Sequence, residues 1–147
     1  MNDLIFKTKK INKTFLLLYL GFLLLFIIFA LYTYYIAKDF KTFLIGFIGG
    51  LPLMLSFAAS KWLKIIIRND ELIIHWIFTI YKTKIQNITK IRKGETMWSG
   101  FHKYGNTTKG LIIFSKFKND LYITPNDEEL FYQKILEINP NVIIEKV

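Results

Sequence analysis

Cysteine is absent from the 147 residues. That excludes disulfides, thiolate metal sites and cysteine nucleophiles, and it fits a reducing compartment. Histidine occurs only at His75 and His102, neither with a second His or a carboxylate at ligand spacing. Neither reads as a metal ligand or a general base. Gly94, Gly100, Gly105 and Gly110 do not form a phosphate-binding word, and no serine sits in a nucleophile elbow. Without a catalytic constellation, an enzyme is not expected, and neither a metal nor another cofactor is implied. Negative charge is scarce: 11 Asp and Glu stand against 20 Lys and Arg, giving +9. Charge of either sign is missing from two long runs, twenty-three residues from Phe15 to Ala37 and nineteen from Thr42 to Ser60.

What is present in those runs is apolar, and the whole chain has a mean hydropathy of +0.31. A helix rises about 1.5 Å per residue, so the first run spans the roughly 30 Å hydrocarbon core with room to tilt. Only Lys38 to Lys41 separates the runs, a link that forces an antiparallel hairpin. Backbone groups in lipid must be satisfied internally, which leaves helices as the solution. The sequence thus predicts membrane helices at about 15–37 and 42–60. Residues 1–61 are the basic N-terminal segment and anchor, and 62–147 are a cytoplasmic domain. A signal peptide is disfavoured because the first run is too long and lacks an Ala-x-Ala-like site after it. Lys7, Lys9, Lys10 and Lys13 precede the first helix, and Lys61, Lys64 and Arg68 follow the second. Positive charge stays inside, so both termini are expected in the cytoplasm of a multi-pass cell-membrane protein. Tyr32, Tyr34, Tyr35 and Trp62 are placed at the interfaces. Gly46 and Gly50 form a GxxxG spacing that serves either a homo-oligomer or packing on the first helix of the same chain. Pro52 is expected to kink or loosen the second helix. With no charge inside either span, an ion pathway is not expected.

Beyond Trp62 the pattern changes to short β-type runs. Lys64 to Ile67 and Leu72 to Phe78 flank a polar turn, Arg68 to Glu71, and read as a hairpin. Thr79 to Ile85, with Ile88 and Ile91 at its end, reads as a third β segment. Gly94 to Lys109 reads as a long loop or irregular hairpin. Leu111 to Phe114 and Leu121 to Thr124 read as strands joined across Lys118 to Asp120. A helix follows, capped by Asn126 with Glu129 and stopped by Asn139-Pro140. Its apolar face is Phe131, Ile135 and Ile138. Val142 to Ile144 is expected to pack back on the domain. Antiparallel strands followed by one amphipathic helix make a strand-rich α+β domain closed by that helix.

The words ITPNDEELFYQKILEINP, with Ile123-Thr124-Pro125, Phe131 and Asn139-Pro140, resemble the C-terminal signature of bacterial pleckstrin-homology-like domains of the YyaB-like group. Ile85, Ile88 and Ile91 match that group's isoleucine-spaced strand, and the two-helix anchor matches as well. The resemblance covers about residues 62–145. A Ser-rich word followed by Arg-Leu, common in the group, is replaced here by Asn106 to Leu111. The resemblance implies a partly open seven-stranded antiparallel barrel capped by the C-terminal helix, and it implies a binding module. Some related small membrane proteins protect their producers from bacteriocins, a fold-level link that makes immunity the alternative function.

Two candidate surfaces follow. Lys82, Lys84, Lys90, Arg92 and Lys93 crowd twelve residues and are either contacts for anionic lipid headgroups or a solvated face. Trp98, Phe101, Lys103 and Tyr104 lie in the Gly-rich stretch, where they either enter an interface or cover the barrel end. Expected partners are therefore the bilayer itself, anionic lipid or a membrane protein. Nucleic acid is not expected, since no nucleic-acid motif accompanies the charge.

Overall fold

Strand formation begins before the first long apolar run, where none is expected. The computed structural model describes residues 3–59 and 62–147. Ser60, the expected end of the second run, and Lys61, one of the flanking cations, lie outside them. In chain order the elements are β1 (Leu4–Lys7), α1 (Lys13–Ala37), α2 (Phe40–Ala59), β2 (Lys64–Arg68), β3 (Glu71–His75), β4 (Thr79–Lys84), a 3-10 turn (Ile85–Asn87) and β5 (Ile88–Glu95). Then come β6 (His102–Lys103), β7 (Gly110–Ser115), β8 (Lys118–Ile123), α3 (Glu128–Ile138) and β9 (Ile143–Lys146). Two compact units result, Lys13–Ala59 and Met1–Asn12 with Ser60–Val147.

In the helical unit, α1 and α2 pack antiparallel. Tyr34 meets Phe43 near the link and Tyr19 meets Phe57 at the other end. The link is only Lys38 and Asp39, whose carboxylate accepts from the Lys41 amide at 3.1 Å. A Cβ on Gly46 would stand 3.0 Å from Ala30, and one on Gly50 would stand 3.4 Å from Phe26. The glycine edge of α2 is therefore occupied by α1 of the same chain, as small residues allow. α2 is helical from Phe40 to Ala59 through Pro52. α1 is long and apolar enough to cross a membrane, and only 6% of its most apolar window is buried. A core helix of a soluble protein would be largely buried.

The other unit differs from expectation in its N-terminal segment. β1 pairs antiparallel with β2, from Leu4↔Ile67 to Lys7↔Lys64, so the N-terminal segment belongs to the domain. The four-stranded sheet runs β1-β2-β3-β4, and the five-stranded sheet runs β6-β8-β7-β5-β9. Past β1 the chain crosses to the second sheet: the Asn126 amide donates to Lys7 O and the Lys9 amide to Thr124 O, at 2.9 and 2.7 Å. Both sheets share one core, with Phe6, Ile65, Leu72 and Ile74 from the first and Ile91, Leu111, Ile113 and Leu121 from the second. Phe131 and Ile135 of α3 are fully buried in it, and the Phe131 ring meets Phe6 edge-on at 5.5 Å.

Several local expectations shift. The β2–β3 turn falls at Asn69, which takes a left-handed φ of 55° that Asn tolerates. The third β segment is two strands, because the Ile85–Asn87 turn carries the chain from one sheet to the other. β7 and β8 meet across Lys116-Phe117, and Lys118 to Asp120 are already strand. The cap of α3 is Asp127, not Asn126: its carboxylate accepts from the Leu130 amide at 3.0 Å. Asn139 ends the helix and is buried, its Nδ2 donating to Ile85 O and Ile88 O, which ties α3 to the sheet crossover. Val142 is buried, and β9 pairs parallel with β5.

Candidate binding surface

Lys82, Lys84, Lys90, Arg92 and Lys93 do not form one patch. The first two lie on β4 in the four-stranded sheet, the other three on β5 in the five-stranded sheet. Carboxylates meet four of them. Lys82 Nζ is 2.8 Å from Glu71. Lys90 Nζ and Arg92 Nε both reach Glu145 at 3.3 Å, and Arg92 also reaches Glu95 at 2.8 Å. Lys93 Nζ lies 3.2 Å from Glu129 and 3.7 Å from Glu128. Lys84 is exposed and makes no ion pair among the described residues. Glu71 and Glu95 come from β3 and from β5 itself, whereas Glu145, Glu128 and Glu129 come from β9 and α3, elements far along the chain, so the positive charge of this stretch is largely matched in space. Lys90 and Arg92 also lie over the Phe114 ring, at 4.8 and 5.3 Å. Hydrogen bonds from Tyr132 and Lys93 hold the Glu129 carboxyl below its ordinary range. Burial pushes Glu145 up, but hydrogen bonds from Lys90 and Arg92 outweigh it and leave that carboxyl low as well.

The loop residues divide. Trp98 and Phe101 are exposed, and Lys103 Nζ donates to Trp98 O at 2.7 Å. Tyr104 turns inward against the core, its amide donating to Tyr122 O and its hydroxyl 3.1 Å from His102 Nδ1. His102 in turn stacks edge-on against Tyr81 at 4.9 Å, which places the loop beside the start of β4. An open cleft of about 400 Å³ lies between Met97, Gly100 and Phe101 on one side and Lys118 and Asp120 on the other.

Sequence reasoning missed what fixes this loop. The Tyr122 hydroxyl donates to Thr107 O at 2.5 Å and accepts from the Gly110 amide at 3.1 Å. Burial raises its pKa, which keeps that proton in place. Gly105 and Gly110 flank the ring so closely that a Cβ on either would come within 3.0 Å of it. Asn106 Nδ2 donates to Thr8 Oγ1 at 3.1 Å, and the Asn12 side chain donates to Thr108 Oγ1 at 2.9 Å. No sequence signal marks Tyr122; Gly105-Asn106 signals only a turn. Among the described residues, no group of three or more His, Asp or Glu side chains converges.

A family model described as a bacterial PH domain matches residues 63–139, from the residue before β2 to the Asn that ends α3. The chain belongs to the bacterial PH domain family. No curated protein and no solved structure gives a significant match. PH domains are generally binding modules. Here β1 and β9 lie outside the matched span, yet each forms an edge strand of one sheet of the domain. β9 also supplies Glu145, which meets Lys90 and Arg92 of the PH domain.

Proposed function

We propose that this protein is a membrane-anchored, non-enzymatic binding module whose PH domain faces the cytoplasm. α1 and α2 both cross the cell membrane, both termini are cytoplasmic, and the partner is a component of that membrane, lipid headgroup or membrane protein. One observation carries the topology. β1 precedes α1, β2 follows α2, and all four residues of β1 pair with β2. Segments paired in one sheet lie on one side of a bilayer. If α1 crosses, the chain must return, and α2 is the element available. Its 20 residues give about 30 Å of helix, the thickness of the hydrocarbon core. The charge bias supports the orientation, with Lys7, Lys9, Lys10 and Lys13 before α1 and Lys64 and Arg68 after α2.

The chain has no cysteine, so single cysteines report topology without background. In intact cells an impermeant maleimide should label Asp39→Cys in the link and leave Asn119→Cys in the domain unlabelled until the membrane is opened. Labelling of Asn119→Cys from outside would overturn the orientation. Protection of both positions would overturn the two-span reading.

A further inference from the structure

We propose that the PH domain docks into the interface of its own bilayer through an aromatic end, formed by Trp62, the Trp76–Phe78 tip and the Trp98–Phe101 loop. The proposal rests on the anchored reading above and names lipid as the partner. Connectivity within the domain comes first. Lys64 pairs with Lys7 on one side and with His75 on the other, so the β3–β4 tip stands at the end of the sheet where β2 begins. α2 ends at Ala59, five residues before β2. The Trp98–Phe101 loop belongs to the same connection whose later residues, Asn106 and Thr108, bond Asn12, and α1 begins at the next residue, Lys13. The contact of His102 with Tyr81, two residues into β4, joins the loop to the tip. β2 therefore begins beside Trp62 and the tip, whereas Asn12 sits with Asn106 and Thr108 at the opposite end of β6 from the Trp98–Phe101 loop.

The exposed surface there suits an interface. Trp62 is 63% exposed, Ile77 73%, Phe78 60%, Trp98 62% and Phe101 89%. Soluble monomers seldom gather so many large apolar side chains, whereas Trp and Phe are suited to headgroup depth. Charge agrees as well. Residues 4–13, 62–69, 76–80 and 96–109 contain no Asp or Glu. Lys7, Lys10, Lys64 and Lys109 make no ion pair among the described residues, while Lys9 is held by Glu128. Asp120, across the cleft, is the nearby carboxylate. Lys7 and Lys64, paired with each other at this end of the sheet, complement an anionic leaflet, where each such charge near the surface adds attraction.

The three tryptophans of the chain, at 62, 76 and 98, all lie at this end, so emission reports it directly. Trp76→Phe loses no hydrogen bond among the described residues, and Trp62 is exposed. The full chain carrying Trp62→Phe and Trp76→Phe keeps Trp98 as its sole tryptophan, which is excited selectively at the red edge of its absorption. Reconstituted in phosphatidylcholine–phosphatidylglycerol vesicles, it should show blue-shifted emission. Lipid brominated near the glycerol backbone should quench it more than lipid brominated near the chain ends, and Phe101→Ser should reduce that quenching. Emission at the water-exposed wavelength, quenched by iodide and blind to brominated lipid, would overturn the docking. Emission shielded from iodide yet blind to brominated lipid would mean that protein covers the loop, and would also overturn it. Resistance of the same vesicles to alkaline extraction reads the anchor separately. Extraction would sink anchor and docking together, whereas resistance with water-exposed Trp98 would sink the docking alone.

Discussion

The β5 face and the aromatic end carry similar numbers of cations and have opposite electrostatic characters. On β5, Lys90, Arg92 and Lys93 stand within 3.3 Å of Glu145, Glu95 or Glu129. At the aromatic end, Lys7 and Lys64 lie in segments without a carboxylate. Screening acts over about 8 Å at physiological salt, so a contact neutralises a cation far more effectively than a distant acid does. A cluster of lysines in a sequence is thus a surface only after the acids have been placed. The exposed tryptophans Trp62 and Trp98 lie away from the densest charge.

The largest way to break that comparison is to remove the core on which both regions depend. Phe131→Ala and Phe6→Ala should each destabilise the domain by about 3–5 kcal/mol. Against a total of roughly 5–15 kcal/mol, either change should expose the domain to limited proteolysis in the detergent-solubilised full chain. Phe6 is the sharper of the two, since it tests whether β1 is structural. A fragment 62–147 lacking β1 should melt well below a soluble chain joining residues 3–12 to 62–147 through a flexible linker. Equal melting would show that β1 is dispensable.

The linked chain then sets the two regions against each other on vesicles. Burying a large apolar side chain is worth about 1.5–3 kcal/mol. Trp98→Ser with Phe101→Ser should therefore weaken binding to anionic vesicles by roughly a hundredfold or more, without moving the thermal midpoint. Replacing Lys7 and Lys64 by Gln should have a smaller effect, about 1 kcal/mol for each charge at an anionic surface, and added salt should mimic it. Lys90→Gln with Arg92→Gln should change binding least, because their charge is already met. If the β5 pair outweighs Lys7 and Lys64 in a sedimentation assay, the assignment of the two regions is reversed.

The smallest effect expected is one of pH. Glu129 and Glu145 are held below the ordinary carboxyl value in the folded domain. Their contribution to stability is complete above that value and is lost as pH falls through the folded pKa. A modest drop in thermal midpoint between about pH 5 and pH 3 should follow. It should shrink when both residues are replaced by Gln. Both carboxyls are solvent-accessible, so screening keeps the shift small.

What sequence alone determined here is what depends on neighbours along the chain. A helix period places Phe131 and Ile135 on one face, and both are buried. Continuous isoleucine around Asn69-Asp70 specifies the β2–β3 hairpin, since turn chemistry and strand propensity act within a few residues. Length and missing charge mark α1. The tertiary structure decided what depends on distant partners. Leu4 to Lys7 is too short for a periodicity of its own and becomes a strand only because β2 offers an edge. Trp98 and Tyr104 are six residues apart in one Gly-rich stretch, yet one is exposed and the other joins the core. Most decisively, Glu145 and Glu129 reach β5 only after β9 and α3 have packed, and Coulomb attraction depends on distance in space, which chain separation does not encode.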